Sequence, residues 1–222
     1  MIVHILDRLK LSKIPDDIII CTSTVAQDDR LEEIAQKEGV KCYRGDPDDV
    51  LLRLTKAAEY YNVETVINCT GDNPFVDPLY IDKLCQYHVQ KGNDFSKING
   101  LPWGTFSYAI SNSAMRKACE IKDTSDTEVW HGYFMESGYF KWGTLEVDDT
   151  TLQVPNLRLT VDTPEDFEMV NRIFNELYEP GKIFSLKEIV KLCEENSEIP
   201  AINKLVKQKP VIPIKLKDIS NS

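Results

Sequence analysis

Several patterns that mark common enzyme classes and membrane proteins are missing from this sequence. None of the six cysteines forms a C-x-x-C pair, and no group of cysteine and histidine has zinc-site spacing. There is no Walker A, G-x-G-x-x-G, G-x-S-x-G or H-E-x-x-H pattern. No apolar run approaches the length of a membrane span, and no signal peptide is visible, because charged residues interrupt the N-terminal apolar residues. We therefore expect free thiols, a cytoplasmic protein and no membrane partner.

The charge balance restricts the class of partner. Lysine and arginine number 26 against 36 aspartate and glutamate residues, a formal net charge of −10. Such a surface repels nucleic-acid phosphates, so we expect no nucleic-acid partner. A small anionic substrate remains compatible with this charge, because a local cationic pocket or a metal ion can hold it.

Apolar runs and helical patterns alternate along the chain. Runs such as DIIICT are typical of parallel strands buried on both faces, and amphipathic helical patterns follow them. This alternation predicts βαβ units and an α/β fold with a mostly parallel sheet. The predicted strands are 17–22, 40–43, 64–70, 93–98, 105–110, 139–147 and 156–161, and the predicted helices are 2–10, 29–38, 48–61, 78–91, 111–121, 126–137, 163–177, 185–194 and 197–207.

Turn and capping residues support these boundaries. Gly39 supplies a stop for the helix 29–38, and Thr163 with Asp166 predicts a capping box at the start of the helix 163–177. The length suits one domain, which we place at residues 1–207, with 208–222 as an extended C-terminal tail.

The first candidate site is TGDNPFVDP, from Thr70 to Pro78. Asp72 follows a buried strand directly, and ligands of open α/β sheets bind at the carboxyl ends of the strands. A carboxylate held there suits a divalent metal that carries a nucleoside triphosphate. The structural alternative is an Asx-turn for Asp72 and a helix N-cap for Asp77. We favour the metal for Asp72 and the cap for Asp77.

The second candidate is NLRLTVDTPEDFE, where Asp162 also ends a predicted strand. Asp72 and Asp162 could therefore share one Mg²⁺, although strand-to-helix turns are rich in aspartate for capping reasons alone.

Two further segments carry weaker signals. In RGDPDDVLLR, Arg44 and Arg53 could contact phosphate or carboxylate. Its D-x-D pattern, Asp46 to Asp48, also occurs in glycosyltransferases, but aspartate is expected before a helix, so we interpret these residues first as loop and cap. In CTST, the hydroxyls of Thr22 and Ser23 could bind a nucleotide or could be turn residues.

Taken in order, ICTST, GVKCYRGDPDDVLLR, TGDNPFVDP and NLRLTVDTPEDFEMV resemble the cytidylyltransferase family, which includes acylneuraminate cytidylyltransferases and spore-coat polysaccharide synthesis proteins. The resemblance runs from about residue 1 to residue 174. It implies a Rossmann-like sheet of the nucleotide-diphospho-sugar transferase type. It also implies transfer of CMP from CTP to an acidic sugar, with release of pyrophosphate, for surface polysaccharide or glycan synthesis.

The resemblance also implies which acids bind the metal, and the residues themselves supply the other candidates. The metal-binding acids of the family correspond to Asp72 and Asp162, with Mg²⁺ as the cofactor. The candidates for binding nucleotide and sugar are Thr22, Ser23, Arg44, Arg53, Thr70, Gly71 and Arg158. The family suggests a homodimer, which no pattern in the sequence shows.

Two features depart from the family. The family opens with a strand and a triphosphate-binding loop, and we expect both to be missing from this sequence, which begins with a segment that resembles the following helix. The missing part would be roughly 20–30 residues, by the usual size of a βα unit. That strand would lie between the strands 17–22 and 64–70. The expected alternatives are an upstream start, a piece from another chain, or an inactive homologue that acts as a binding or assembly subunit.

The second departure concerns the segments 101–110 and 126–134, which hold four aromatic residues. These residues could line a sugar pocket, although a core or dimer role is favoured: Trp103, Tyr108, Trp130 and Tyr133.

Overall fold

The computed structural model describes residues 1–208 and 213–218, which form an α/β fold. The helices are α1 Ile2–Leu9, α2 Asp29–Glu38, α3 Val50–Tyr60, α4 Pro78–Lys91, α5 Asn112–Ile121, α6 Gly132–Glu136, α7 Pro164–Leu177, α8 Leu186–Glu195 and α9 Glu198–Ala201. The strands are β1 Ile19–Ser23, β2 Lys41–Gly45, β3 Thr65–Asn68, β4 Phe95–Asn99, β5 Tyr108–Ser111 and β6 Trp142–Glu146.

The local signals that begin and end the helices act as the sequence predicts. Gly39 ends α2 in the left-handed conformation at φ +66°. Thr163 and Asp166 form a reciprocal capping box at the start of α7, and Asp49 caps α3 by accepting a hydrogen bond from the Leu52 N–H at 3.0 Å.

The strands form two sheets. β1 and β2 pair in parallel, and the second sheet has the order β3-β5-β4-β6. In the second sheet β4 and β6 are parallel, and β5 runs antiparallel to its neighbours β3 and β4. The α/β class with a mostly parallel arrangement is thereby confirmed. Within the described residues no ladder joins β1 to β3, so each of these strands has one unpaired edge.

Side chains of two helices connect the sheets instead. Ile2 of α1 packs against the cluster that contains Ile20 of β1, and also against a second cluster on which Ile67 of β3 packs. Elsewhere, Cys21 of β1 and Val66 of β3 belong to one apolar cluster with Leu51 of α3. The residues that end β1 and β3 are thereby held in one body, although no backbone hydrogen bonds link the two strands.

Three predicted elements differ from the structure. Residues 156–161 form no strand, only an isolated bridge between Trp103 and Arg158. The bridge cannot extend because the chain turns at Gly104 (φ +87°), which lies directly against Thr160. The helix predicted over 126–137 is confined to α6, because the side chain of Thr127 is bound instead to Asp49 and to the Leu51 N–H. At the C-terminal end, α9 replaces the longer helix predicted over 197–207.

Part of the predicted tail packs against the domain. The Asp123 N–H donates to the Lys215 carbonyl at 2.8 Å, the Lys217 N–H donates to the Ile121 carbonyl at 2.8 Å, and Ile214 joins the cluster beneath α6. Residues 209–212 and 219–222 of that tail lie outside the described residues. The six cysteines are free, as expected, with Cys85 and Cys193 buried and the other four partly buried. Over the described ranges, no helix is both long and apolar enough to cross a membrane.

Candidate functional site

The loop that follows β3 presents the first acid of the candidate site. Asp72 Oδ1 is buried and has no hydrogen-bond partner among the described residues, while Oδ2 is 3.4 Å from the hydroxyl of Thr160. An unpaired buried carboxylate oxygen is costly, so its persistence points to a missing partner that carries positive charge or a donor.

A second segment brings the other acid alongside. The Val161 N–H donates to the carbonyl of Asp72 at 2.9 Å, which places the backbone of Asp162 next to the Asp72 loop. Although residues 156–161 are not a strand, this bond brings the backbone before Asp162 to the Asp72 loop, and a metal shared by the two acids stays a prediction.

The carboxylate of Asp162 is already paired. Arg158 Nη2 donates to Asp162 Oδ2, and the same guanidinium binds Asp166 through Nε at 2.9 Å and Nη2 at 3.0 Å. Arg158, predicted to bind nucleotide or sugar, is therefore engaged internally. Asp166, which we predicted only as a helix cap, is the centre of this cluster, and it is fully buried.

Asp72 and Asp162 differ in how many carboxylate oxygens they can offer to a divalent cation. Asp72 Oδ1 is free to ligate, whereas Asp162 offers one oxygen that Arg158 does not hold. The described residues contain no group of three or more acids, histidines or cysteines that could enclose a metal. Such an open pair suits Mg²⁺, which keeps several waters and binds through one or two carboxylates together with substrate phosphates.

Thr70 and Gly71 lie before Asp72 on the exposed side of the loop. The hydroxyl of Thr70 accepts a hydrogen bond from Asn73 Nδ2 at 2.8 Å, which stiffens the turn. A side chain at Gly71 would meet nothing within 4 Å, so the space above it is open to a ligand. The cap role of Asp77 is confirmed, since its carboxylate accepts from the N–H groups of Leu79 and Tyr80.

The residues that end β1 are satisfied within the protein. The hydroxyls of Thr22 and Ser23 donate to Asp28 Oδ2 at 2.7 and 2.6 Å. These bonds, from Ser23 first and then Thr22, lower the pKa of Asp28. Arg44 forms ion pairs with Asp29 at 2.7 Å and Glu32 at 3.1 Å. A ligand role for Thr22, Ser23 or Arg44 would require these contacts to be exchanged.

Arg53 differs from Arg44. Its Nη1 donates to the carbonyls of Asp46 and Pro47, and its Nε is buried with no nitrogen or oxygen partner among the described residues. The Arg53 side chain lies instead beside the thiol of Cys21 in β1. Burial raises the pKa of that thiol to about 11, and the charge and hydrogen bond of Arg53 oppose the rise.

The D-x-D residues serve the local backbone. Asp46 accepts hydrogen bonds from the N–H groups of Asp48 and Asp49. Asp49 is buried against Lys122 and Thr127. The loop and cap interpretation of Asp46 and Asp49 is confirmed, and these contacts do not favour a metal at the D-x-D pattern.

Asn68, the last residue of β3, is a candidate that we did not predict. Its Oδ1 is buried without a partner in the described residues, like that of Asp72, and it lies opposite Tyr108 across the β3–β5 ladder. The signal was available, since Asn68 is the amide side chain that interrupts the apolar run TVIN. Of the predicted aromatic residues, Trp130 and Tyr133 belong to the core, whereas Trp103 is 40% exposed.

Gly104 fixes the loop that packs against Thr160, next to Asp72. A Cβ at this position would lie 2.4 Å from the Thr160 nitrogen, and φ is +87°. We expect Gly104→Ala to lower the free energy of unfolding by about 1–3 kcal/mol, measured by urea denaturation. Gly71→Ala is the matched control, and it should change stability by less than about 0.5 kcal/mol. Equal losses in the two variants would contradict this interpretation of the packing.

Comparisons with known proteins agree with the resemblance. A model of the cytidylyltransferase family matches residues 1–208. The spore coat polysaccharide biosynthesis protein SpsF of Bacillus subtilis is 29% identical over 186 residues, which cover 82% of this chain and 77% of that protein. An 8-amino-3,8-dideoxy-manno-octulosonate cytidylyltransferase of Shewanella putrefaciens is 26% identical over 143 residues, which cover 62% of this chain and 54% of that protein.

Among solved structures, a cytidylyltransferase from Leptospira borgpetersenii superposes with a TM-score of 0.79 at 24% identity, covering 94% of this chain and 87% of that one. This likeness concerns the fold. The family match spans nearly the whole chain. The chain belongs to the cytidylyltransferase family.

Proposed function

We propose that this protein transfers CMP from CTP to a hydroxyl of an acidic sugar and releases pyrophosphate, with Mg²⁺ as the cofactor. The observation that carries the proposal is the buried Oδ1 of Asp72, which has no partner among residues 1–208 and 213–218 and lies in the loop after β3, to which the backbone before Asp162 is hydrogen-bonded. The cytidylyl donor follows from the family. The acidic sugar is supported by the relative that acts on an octulosonate, and the use in polysaccharide synthesis by SpsF.

Each residue of the site has a role that follows from its position. Asp72 and the free oxygen of Asp162 would hold the cation, which when bound neutralises phosphate oxygens and stabilises the leaving pyrophosphate. The open space above Gly71 leaves the backbone of the loop accessible to a phosphate or ribose. Asn68 Oδ1 offers an acceptor without a partner among the described residues, which suits a polar edge of a nucleotide.

The attack itself needs no covalent intermediate with the protein. A sugar hydroxyl attacks the α-phosphorus in line, the bond from that phosphorus to the β-phosphate oxygen breaks, and the hydroxyl proton passes to solvent or a base. Most of the rate enhancement then comes from positioning and from electrostatic stabilisation of the phosphates.

The test is a thermal shift with each nucleoside triphosphate, followed by product analysis. A hundredfold excess of CTP over its Kd, with Mg²⁺, should stabilise the protein by about 2.7 kcal/mol and raise the midpoint by roughly 5–10 °C. UTP, GTP and ATP should shift it less. With 8-amino-3,8-dideoxy-manno-octulosonate as the acceptor, pyrophosphate and a CMP-sugar should form, whereas a neutral hexose should give neither.

Other outcomes would contradict the proposal in different ways. A larger shift with another nucleotide would reject CTP as the donor. Free nucleoside diphosphate released from a nucleotide sugar would indicate a glycosyltransferase.

A further inference from the structure

The two acids of the site differ in their surroundings. Within the described part of the chain Asp72 Oδ1 has no hydrogen-bond partner, whereas Asp162 is paired with Arg158. The side chain of Arg158 is only 11% exposed and that of Asp162 is 27% exposed, so the pair lies at the edge of the interior. An ion pair in this position neutralises the carboxylate before any cation arrives.

Arg158 has a firmer anchor than Asp162. Asp166 is fully buried and accepts two hydrogen bonds from the Arg158 guanidinium, one from Asn203 Nδ2 at 2.8 Å, and one each from the N–H groups of Asp162 and Thr163 at 3.1 Å. The fork between Arg158 and Asp166 is bidentate, which is the strong geometry for arginine and carboxylate. Gln208 Oε1 accepts from Nη1 on the outer side.

The guanidinium can therefore leave Asp162 without leaving Asp166. Nη2 is shared between Asp162 Oδ2 and Asp166 Oδ2, while Nε and Asp166 keep their own bond. A small rotation about the Asp166 contact would free the outer carboxylate, and the buried charge of Asp166 would stay compensated.

We propose that Arg158 is a positioning residue that occupies Asp162 in the absence of metal and is displaced from it when a divalent cation binds between Asp72 and Asp162. This inference rests on the metal role of these acids in the proposed function. Two consequences follow. The site binds a divalent cation weakly when no other ligand is present, because that cation competes with the guanidinium of Arg158 for Asp162. After displacement, the freed Nη2 donor becomes available to an anionic ligand that accompanies the cation.

The displacement is tested by a titration with Mn²⁺ in the absence of nucleotide, in which electron paramagnetic resonance measures the free ion. Arg158→Lys keeps a positive charge for Asp166 but lacks the planar fork, so one ammonium cannot serve both acids equally. We expect this variant to bind Mn²⁺ roughly fivefold more tightly than the parent protein, the value of one partly exposed ion pair. The matched control is Arg172→Lys, since Arg172 pairs with Glu176 on the exposed side of α7. It should leave the Mn²⁺ affinity unchanged.

A second variant covers the case in which Arg158→Lys does not fold. Gln208→Ala removes an exposed support of Arg158 without touching the buried pair, and it should tighten Mn²⁺ binding in the same direction but less. Unchanged or weaker Mn²⁺ binding in every one of these variants that folds would overturn the proposal and leave the proposed function intact. If Asp162→Asn binds Mn²⁺ as tightly as the parent, Asp162 is not a ligand, and both the displacement and the assigned metal site are rejected.

Discussion

Asp72→Asn should reduce metal-dependent release of pyrophosphate from CTP by at least roughly 100-fold, equivalent to about 2.7 kcal/mol of lost transition-state stabilisation. The reason is that an amide oxygen is neutral and a much weaker ligand for Mg²⁺ than a carboxylate. The substitution keeps the shape of the side chain, and Asp72 Oδ1 has no partner to lose within the described residues. The free energy of unfolding should therefore stay within about 0.5 kcal/mol of the parent value.

Two measurements on the same samples separate catalysis from folding, namely a coupled pyrophosphate assay and urea denaturation. The matched control is Asp77→Asn in the same loop, because asparagine also caps helices well and Asp77 serves only as the N-cap of α4. This control should retain most of the activity. Full activity in Asp72→Asn would reject the metal assignment, and a large loss of stability would mean that Asp72 is mainly structural.

Asp166→Ala should have the largest effect on stability. The substitution removes the anchor of Arg158 and leaves a nearly buried guanidinium and Asn203 without their carboxylate. Breaking a buried ion pair from one side typically costs about 3–5 kcal/mol. We expect a loss of that size in the free energy of unfolding, measured by urea denaturation at neutral pH. Glu165→Ala, at the exposed neighbouring position, is the control and should cost much less.

The stability difference between Asp166→Ala and the parent should also depend on pH. Burial alone would raise the pKa of Asp166, but hydrogen bonds from Arg158 and Asn203 outweigh it and lower the pKa below its usual value. A carboxyl with a lowered pKa contributes its stability above the pKa of the unfolded chain and loses it as the pH falls through the folded value. The difference between the two proteins should therefore shrink in acid. A difference that grows at low pH would contradict this assignment.

Sequence patterns predicted those features of the fold that depend on neighbouring residues. The capping box of Thr163 and Asp166, the N-cap of Asp77 and the stop at Gly39 each involve groups a few residues apart, so the local sequence contains the whole interaction. The order of strands and helices was also predictable, because the length and periodicity of apolar runs reflect burial on one or two faces.

The sequence did not reveal which side chains are already engaged. Whether Arg158 is free depends on Asp166, Asn203 and Gln208, which approach it only in the folded chain. The extent of residues 156–161 was likewise decided by a turn at Gly104 in a distant segment. Asn68 became a candidate only when burial showed that its Oδ1 has no hydrogen-bond partner among the described residues.

The separation of β1 and β2 from the other four strands has a consequence for the order in which the protein unfolds. A two-stranded ribbon has little stability of its own, and here α1 and α3 attach it through side-chain contacts rather than through a continuous backbone ladder. Regions of this kind open as separate cooperative units, at a lower free energy than the rest of the domain. The strands β1 and β2 with the helix between them, residues 19–45, would accordingly melt first, whereas Ile5 of α1 is buried with Val76 and Ile81 on the other side. A partly open form would remain in which the acids on the β3 side keep their places, while the hydroxyls that end β1 have been released.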